Sequence, residues 1–101
     1  MAMYTIEFTQ SAVDDLQYFR KHQQRLILDS IQEQLSHEPR IATRNRKPLQ
    51  PNDVSQWELR VGSFRVFYDI SPDEERETVT VKAIGKKEHN SLYIRGQEYR
   101  L

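Results

Sequence analysis

The stretch "WELRVGSFRVFYDI", residues 57–70, constrains this chain most. Trp57, Leu59 and Val61 alternate with polar residues, and Phe64, Val66, Tyr68 and Ile70 alternate with Arg65, Phe67 and Asp69. Alternation with period two is the mark of a strand with one buried face. Gly62-Ser63 between the runs suits a two-residue hairpin turn, with glycine supplying positive φ at the first position of a type II′ turn. The implied register pairs Val61 with Phe64, Leu59 with Val66 and Trp57 with Tyr68 on a core face. A slip of one residue would turn one apolar set outward. On the other face Arg60 then stands opposite Arg65, and Glu58 opposite Phe67. Like charges placed directly opposite destabilise a sheet, so the arginine pair implies a bound anion.

The rest of the chain supplies the partners of this hairpin. "MYTIEFT" alternates and reads as a first strand. Thr9 or Ser11 can cap a following helix, with Asp14 and Asp15 in its first turn and Val13, Leu16 and Phe19 along one side. "RKHQQ" (20–24) reads as a tight link. "RLILDSIQEQL" (25–35) carries Ile27, Ile31 and Leu35 at four-residue spacing, with Leu28 widening the stripe, until Pro39 stops it. Residues 40–55 hold Pro48, Pro51, Asn45, Asn52 and four basic residues, Arg40, Arg44, Arg46 and Lys47, and read as a long loop. Such loops are often functional, the alternative being a poorly ordered connector. "SPDEE" is a polar turn, "ETVTVKAIG" (77–85) a further strand, and "KKEHNSLYIRGQEYRL" (86–101) a polar tail or short helical turn. The expected architecture is α+β: a single domain, 1–101, with a two-helix hairpin on one face of a mainly antiparallel four-stranded sheet and a short C-terminal tail.

The chain has 101 residues, no cysteine and three glycines. Disulfides and thiolate metal sites are therefore excluded, and no glycine-rich phosphate loop is present. His22, His37 and His89 are widely spaced and form no metal-ligand motif. "MAMYTIEFTQ" lacks the basic start and apolar run of a signal peptide, and no stretch is apolar enough for a membrane span. A cytoplasmic protein without membrane association is the expectation.

Net charge is zero but uneven. Between residues 40 and 65 only Asp53 and Glu58 oppose six basic side chains, and Lys86, Lys87, Arg95 and Arg100 follow later. This favours a local anion site over a basic tail. Arginine forks match phosphate oxygens with paired hydrogen bonds. Phe67, on the same face as Arg65, is placed either to pack against the tail or a partner helix or to stack a base. A tail crossing the sheet's end would bring "GKKEHNSLY" near this face.

"WELRVGSFRVFYDI" followed by "VTVKAIGKKEHNSLY" resembles toxins of the RelE/ParE superfamily, from type II toxin–antitoxin modules. The resemblance covers nearly the whole chain. It implies a fold similar to small microbial ribonucleases. For the RelE-like branch it implies cleavage of mRNA in the ribosomal A site, by attack of a ribose 2′-oxygen on the adjacent phosphate, with no metal or cofactor. Arg65 matches the family's core arginine, Lys87 its second basic residue and Tyr93 its C-terminal tyrosine. Where some members carry lysines before the hairpin turn, this chain has Gln56 and Glu58. Glu58 and His89 are then candidate proton carriers, and Arg60, Arg44, Lys47, Lys86 and Phe67 candidate RNA contacts. The resemblance also implies a cognate antitoxin that folds onto the toxin, ribosome and mRNA as partners, and operator DNA reached only through the antitoxin. A ParE-like inhibitor of DNA gyrase without nuclease activity shares the same fold.

Overall fold

A computed structural model describes residues 3–73 and 75–101. Met1, Ala2 and Glu74, on which the leader and polar-turn readings partly fall, lie outside the described residues. The order is β1 (Thr5–Phe8), α1 (Gln10–Gln17), α2 (Lys21–Leu35), β2 (Arg46–Pro48), β3 (Trp57–Val61), β4 (Phe64–Ile70), β5 (Thr78–Glu88), β6 (Ser91–Ile94) and β7 (Gln97–Tyr99).

The hairpin forms in the register the alternation dictates, with Trp57 opposite Tyr68 and Arg60 opposite Arg65. Gly62 has φ +59°, while Ser63 is not among the positive-φ residues, as a type II′ turn requires. On one face Leu59, Val66, Tyr68 and Ile84 meet Ile27 and Ile31 of α2. Leu28 does not join them. It is 40% exposed, because it stands a third of a turn from Ile27 around the helix. Thr9 caps α1 by accepting the Ala12 N–H, and Gln23 accepts the Arg20 N–H at the start of α2. The link between the helices is thus shorter than residues 20–24, and α2 begins at Lys21.

The sheet has seven strands rather than four, in the order β2-β3-β4-β5-β6-β7, with β1 parallel to β5. The additional strands come from the loop and the tail. Residues 46–48 pair antiparallel with β3, and Pro48 is tolerated because it ends an edge strand. The buried Arg46 guanidinium pins this segment to α2 through the Gln34 carbonyl, and to the chain beyond the helix through the Ile41 carbonyl. Asn52 orders the next stretch, its Oδ1 accepting the Val54 and Ser55 N–H groups. The tail is two hairpins. His89-Asn90 and Arg95-Gly96 form their turns, all four residues at positive φ, the type I′ pattern.

β5 is the centre of this arrangement. β4 runs along one edge, shifted once by a bulge at Phe67/Tyr68 that leaves Lys82 exposed. β1 covers the start of the other edge at residues 78–81, and β6 covers its end at 86–88. Between them, among the described residues, no strand pairs with Ile84 on that edge. Its N–H is satisfied by Asp15 Oδ2 of α1 at 3.0 Å, as a buried backbone donor must be. Asp15, read from the sequence as a first-turn acid, lies past the first turn of α1, which begins at Gln10, and is buried against the sheet.

Candidate nucleic-acid cleft

Strand parity decides which side chains can act together. Opposed residues of antiparallel strands share a face. Lys87 stands opposite Leu92, and Leu92 opposite Tyr99, so the three form one row across β5, β6 and β7. Lys86, Tyr93 and Glu98 form the neighbouring row. Lys86 is also opposite Phe64, whose ring faces the helices, which fixes that row on the helix side. Tyr93 and Lys87 are thus on opposite faces of the sheet.

The face away from the helices carries a cleft. Lys47, Glu58, Lys87, Tyr99 and Arg100 line a cavity of about 520 Å³, with Leu92 as its apolar wall. Lys47 is the cross-strand partner of Glu58, and its Nζ lies 3.8 Å from Glu58 Oε2. The ammonium from β2 therefore stands beside the Glu58 carboxylate of β3. The Lys87 N–H donates to the Ser63 carbonyl, tying the end of β5 to the hairpin turn.

Arg65 is on this face but largely covered, at 9% exposure. Its Nη1 donates to the Gly62 and Phe64 carbonyls, 2.8 Å each, and its Nε is 4.0 Å from Glu58 Oε2. Burial lowers its pKa; Glu58 opposes that shift and Arg60 adds to it. Arginine remains a cation regardless. Half of the guanidinium fork is thus committed to its own turn.

The other predicted residues separate. Arg60 is exposed opposite Arg65. Arg44 is exposed in the bend before β2. His89 is exposed on the β5–β6 turn, beside Asn90, which lines the cleft. Phe67 is fully buried with Ala83, Leu92 and Ile94, and Leu49 and Val54 pack on it. It cannot offer a ring to a base. The tail covers it because an apolar outward position on β4 needed a lid. Lys86 sits 6.0 Å from the Phe64 ring centre. With Tyr18, Phe19, Tyr93 and Arg95 it lines a separate groove of about 310 Å³ on the helix side.

Tyr99 was not anticipated from the sequence. Its signal is the parity of "SLYI": Leu92 and Ile94 share the Phe67 core, so Tyr93 faces away and the next hairpin returns Tyr99 to the cleft. Arg95, on the β6–β7 turn, holds that hairpin to α1 through a 2.8 Å ion pair with Asp15 Oδ1. Burial raises the Asp15 pKa, against the lowering effects of the Ile84 N–H and Arg95.

The family model of the ParE toxin of type II toxin–antitoxin systems matches residues 6–90. A search of curated proteins gave no significant match. Among solved structures, the chain resembles one in the RelBE2 toxin–antitoxin complex of Mycobacterium tuberculosis, at 29% identity and a TM-score of 0.72. That match covers 86% of this chain and 94% of the other. The archaeal RelE–RelB complex of Pyrococcus horikoshii matches in fold, at 18% identity and a TM-score of 0.66, over 86% and 98% of the two chains. Tyr99 lies beyond the family match, so the cleft joins family positions on β3–β5 to a wall outside them. With its matched span and its helix hairpin on a mainly antiparallel sheet, the chain belongs to the ParE toxin family, within the RelE/ParE superfamily of type II toxins.

Proposed function

We propose that this toxin cuts mRNA on the ribosome, with the cleft between β2 and β7 as its active site, and that a cognate antitoxin silences it. The observation that carries the reading is the convergence of Lys47, Glu58, Lys87 and Tyr99 on one cavity, with Arg65 Nε 4.0 Å from the Glu58 carboxylate. In this mechanism Lys87 and Lys47 hold the phosphate oxygens, and Tyr99 stacks on the adjacent base. Glu58 takes the proton from the 2′-hydroxyl. The 2′-oxygen attacks phosphorus, the bond to the 5′-oxygen breaks, and that oxygen receives a proton, with His89 at the cleft rim as the candidate donor. The products are a 2′,3′-cyclic phosphate and a 5′-hydroxyl. Arg65 offsets negative charge developing on the phosphate. The RelB-bound structures named above support an antitoxin as partner, and acidic antitoxin side chains would suit the same cations.

The test is primer extension on translated messages after induction of this protein alone. Cuts at A-site codons are expected. The ParE family match and the partly committed Arg65 fork favour gyrase inhibition as the second reading. Intact messages together with blocked supercoiling would establish it instead.

A further inference from the structure

Glu58 is a carboxylate that stands among the cleft's cations. It is 7% exposed, and its Oε2 lies 3.8 Å from Lys47 Nζ and 4.0 Å from Arg65 Nε. Both contacts are too long for hydrogen bonds and are held by charge alone. A buried carboxylate is costly unless paired, and both of these cations have a role toward the phosphate in the proposed mechanism. Phe67, opposite Glu58 on β4, is fully buried, while Glu58 lines the cavity.

We infer that Glu58 occupies the phosphate subsite of the empty cleft, and that a single-stranded RNA phosphodiester binds by taking Lys47 and Arg65 from it. The inference rests on the cleft being the RNA site. It makes Glu58 a brake on affinity. Binding itself releases the carboxylate from its counter-ions, beside the bound ribose. Lys47 and Arg65 serve two anions in turn, and the exchange sets how tightly RNA is held.

The experiment is fluorescence anisotropy with a 5′-labelled oligouridylate and the full chain, without ribosomes, over a series of salt concentrations. Glu58→Gln should bind several-fold tighter. Its log affinity should fall more steeply with log salt, by about 0.7, the increment for one additional phosphate contact on a single strand. Lys47→Gln should weaken binding, and the gain from Glu58→Gln should shrink in the Lys47→Gln background. In the wild type, the Arg65 Nε–H resonance should shift as RNA is added, which needs no variant to fold. Equal or weaker binding by Glu58→Gln, an unmoved Arg65 resonance at saturation, or no RNA binding by either protein at the lowest salt overturns the inference. Tighter binding by Glu58→Gln with messages left uncut by the wild type upholds the exchange and removes the nuclease reading. Cut messages with unchanged Glu58→Gln binding do the reverse.

Discussion

Lys87 and Tyr99 stand in one cross-strand row joined through Leu92, while Tyr93 stands on the other face of the same strand as Leu92. Tyr99→Ala should therefore slow A-site cutting by roughly one to two powers of ten, the loss of about 1–3 kcal/mol of base stacking. Tyr93→Ala should leave the rate within about twofold, since such surface changes cost little. Cutting rates in a purified translation reaction compare the two. The opposite ranking would place the reacting base on the helix side.

Arg65 links turn geometry to charge. Arg65→Ala should relieve growth arrest at equal protein level. It should also lower stability by roughly 1.5–3 kcal/mol, through loss of charged bonds to the Gly62 and Phe64 carbonyls. Arg65→Lys keeps the charge but not the fork, and should melt between the two. Growth curves with thermal unfolding separate the effects; unchanged toxicity of Arg65→Ala would remove it from the site.

Asp15 gives a pH signature with an unusual sign. Its folded pKa is raised, chiefly by burial, so the folded chain holds the proton more tightly than the unfolded one. Its contribution to stability is thus greatest below the ordinary aspartate value and is lost as pH rises through the raised one. Asp15→Asn can still accept the Ile84 N–H. Urea unfolding from about pH 3 to pH 7 should show the asparagine variant gaining on the wild type across that window.

Gly85 is fixed by contact rather than by φ. A Cβ there would lie 2.6 Å from the Tyr93 carbonyl and 3.0 Å from the Leu92 and Ile94 side chains. Gly85→Ala should cost about 1–3 kcal/mol and push β6 off β5, displacing Tyr99 as well. Calorimetry measures the first effect. A fall in RNA affinity beyond that of Tyr99→Ala would reveal the second.

The sheet's centre was legible because period-two alternation leaves one register that buries both apolar sets. Ile27, Ile31 and Leu35 were legible for the corresponding helical reason. The tail was not. Its strands are four and three residues long, and its turns begin with His89 and Arg95, which do not advertise the positive φ they adopt. Taken as irregular, the tail gave no parity, so Tyr93 and Lys87 looked like neighbours when they are back to back. Phe67 carried a warning: an aromatic on a polar-facing position signals a cover as readily as a stacking platform. Asp15 carried none, because nothing local announces a gap in the edge of a strand 69 residues away.

That gap has a consequence for synthesis. β1 finds its partner only at residues 78–81, and the cleft wall only at β6 and β7. A growing chain exposes its helices first, and its first strand waits unpaired through most of elongation. Such long-range pairing is slow and comes late. The cleft is therefore the last part of the molecule to be completed, since its walls on β5, β6 and β7 come from residues 78–99.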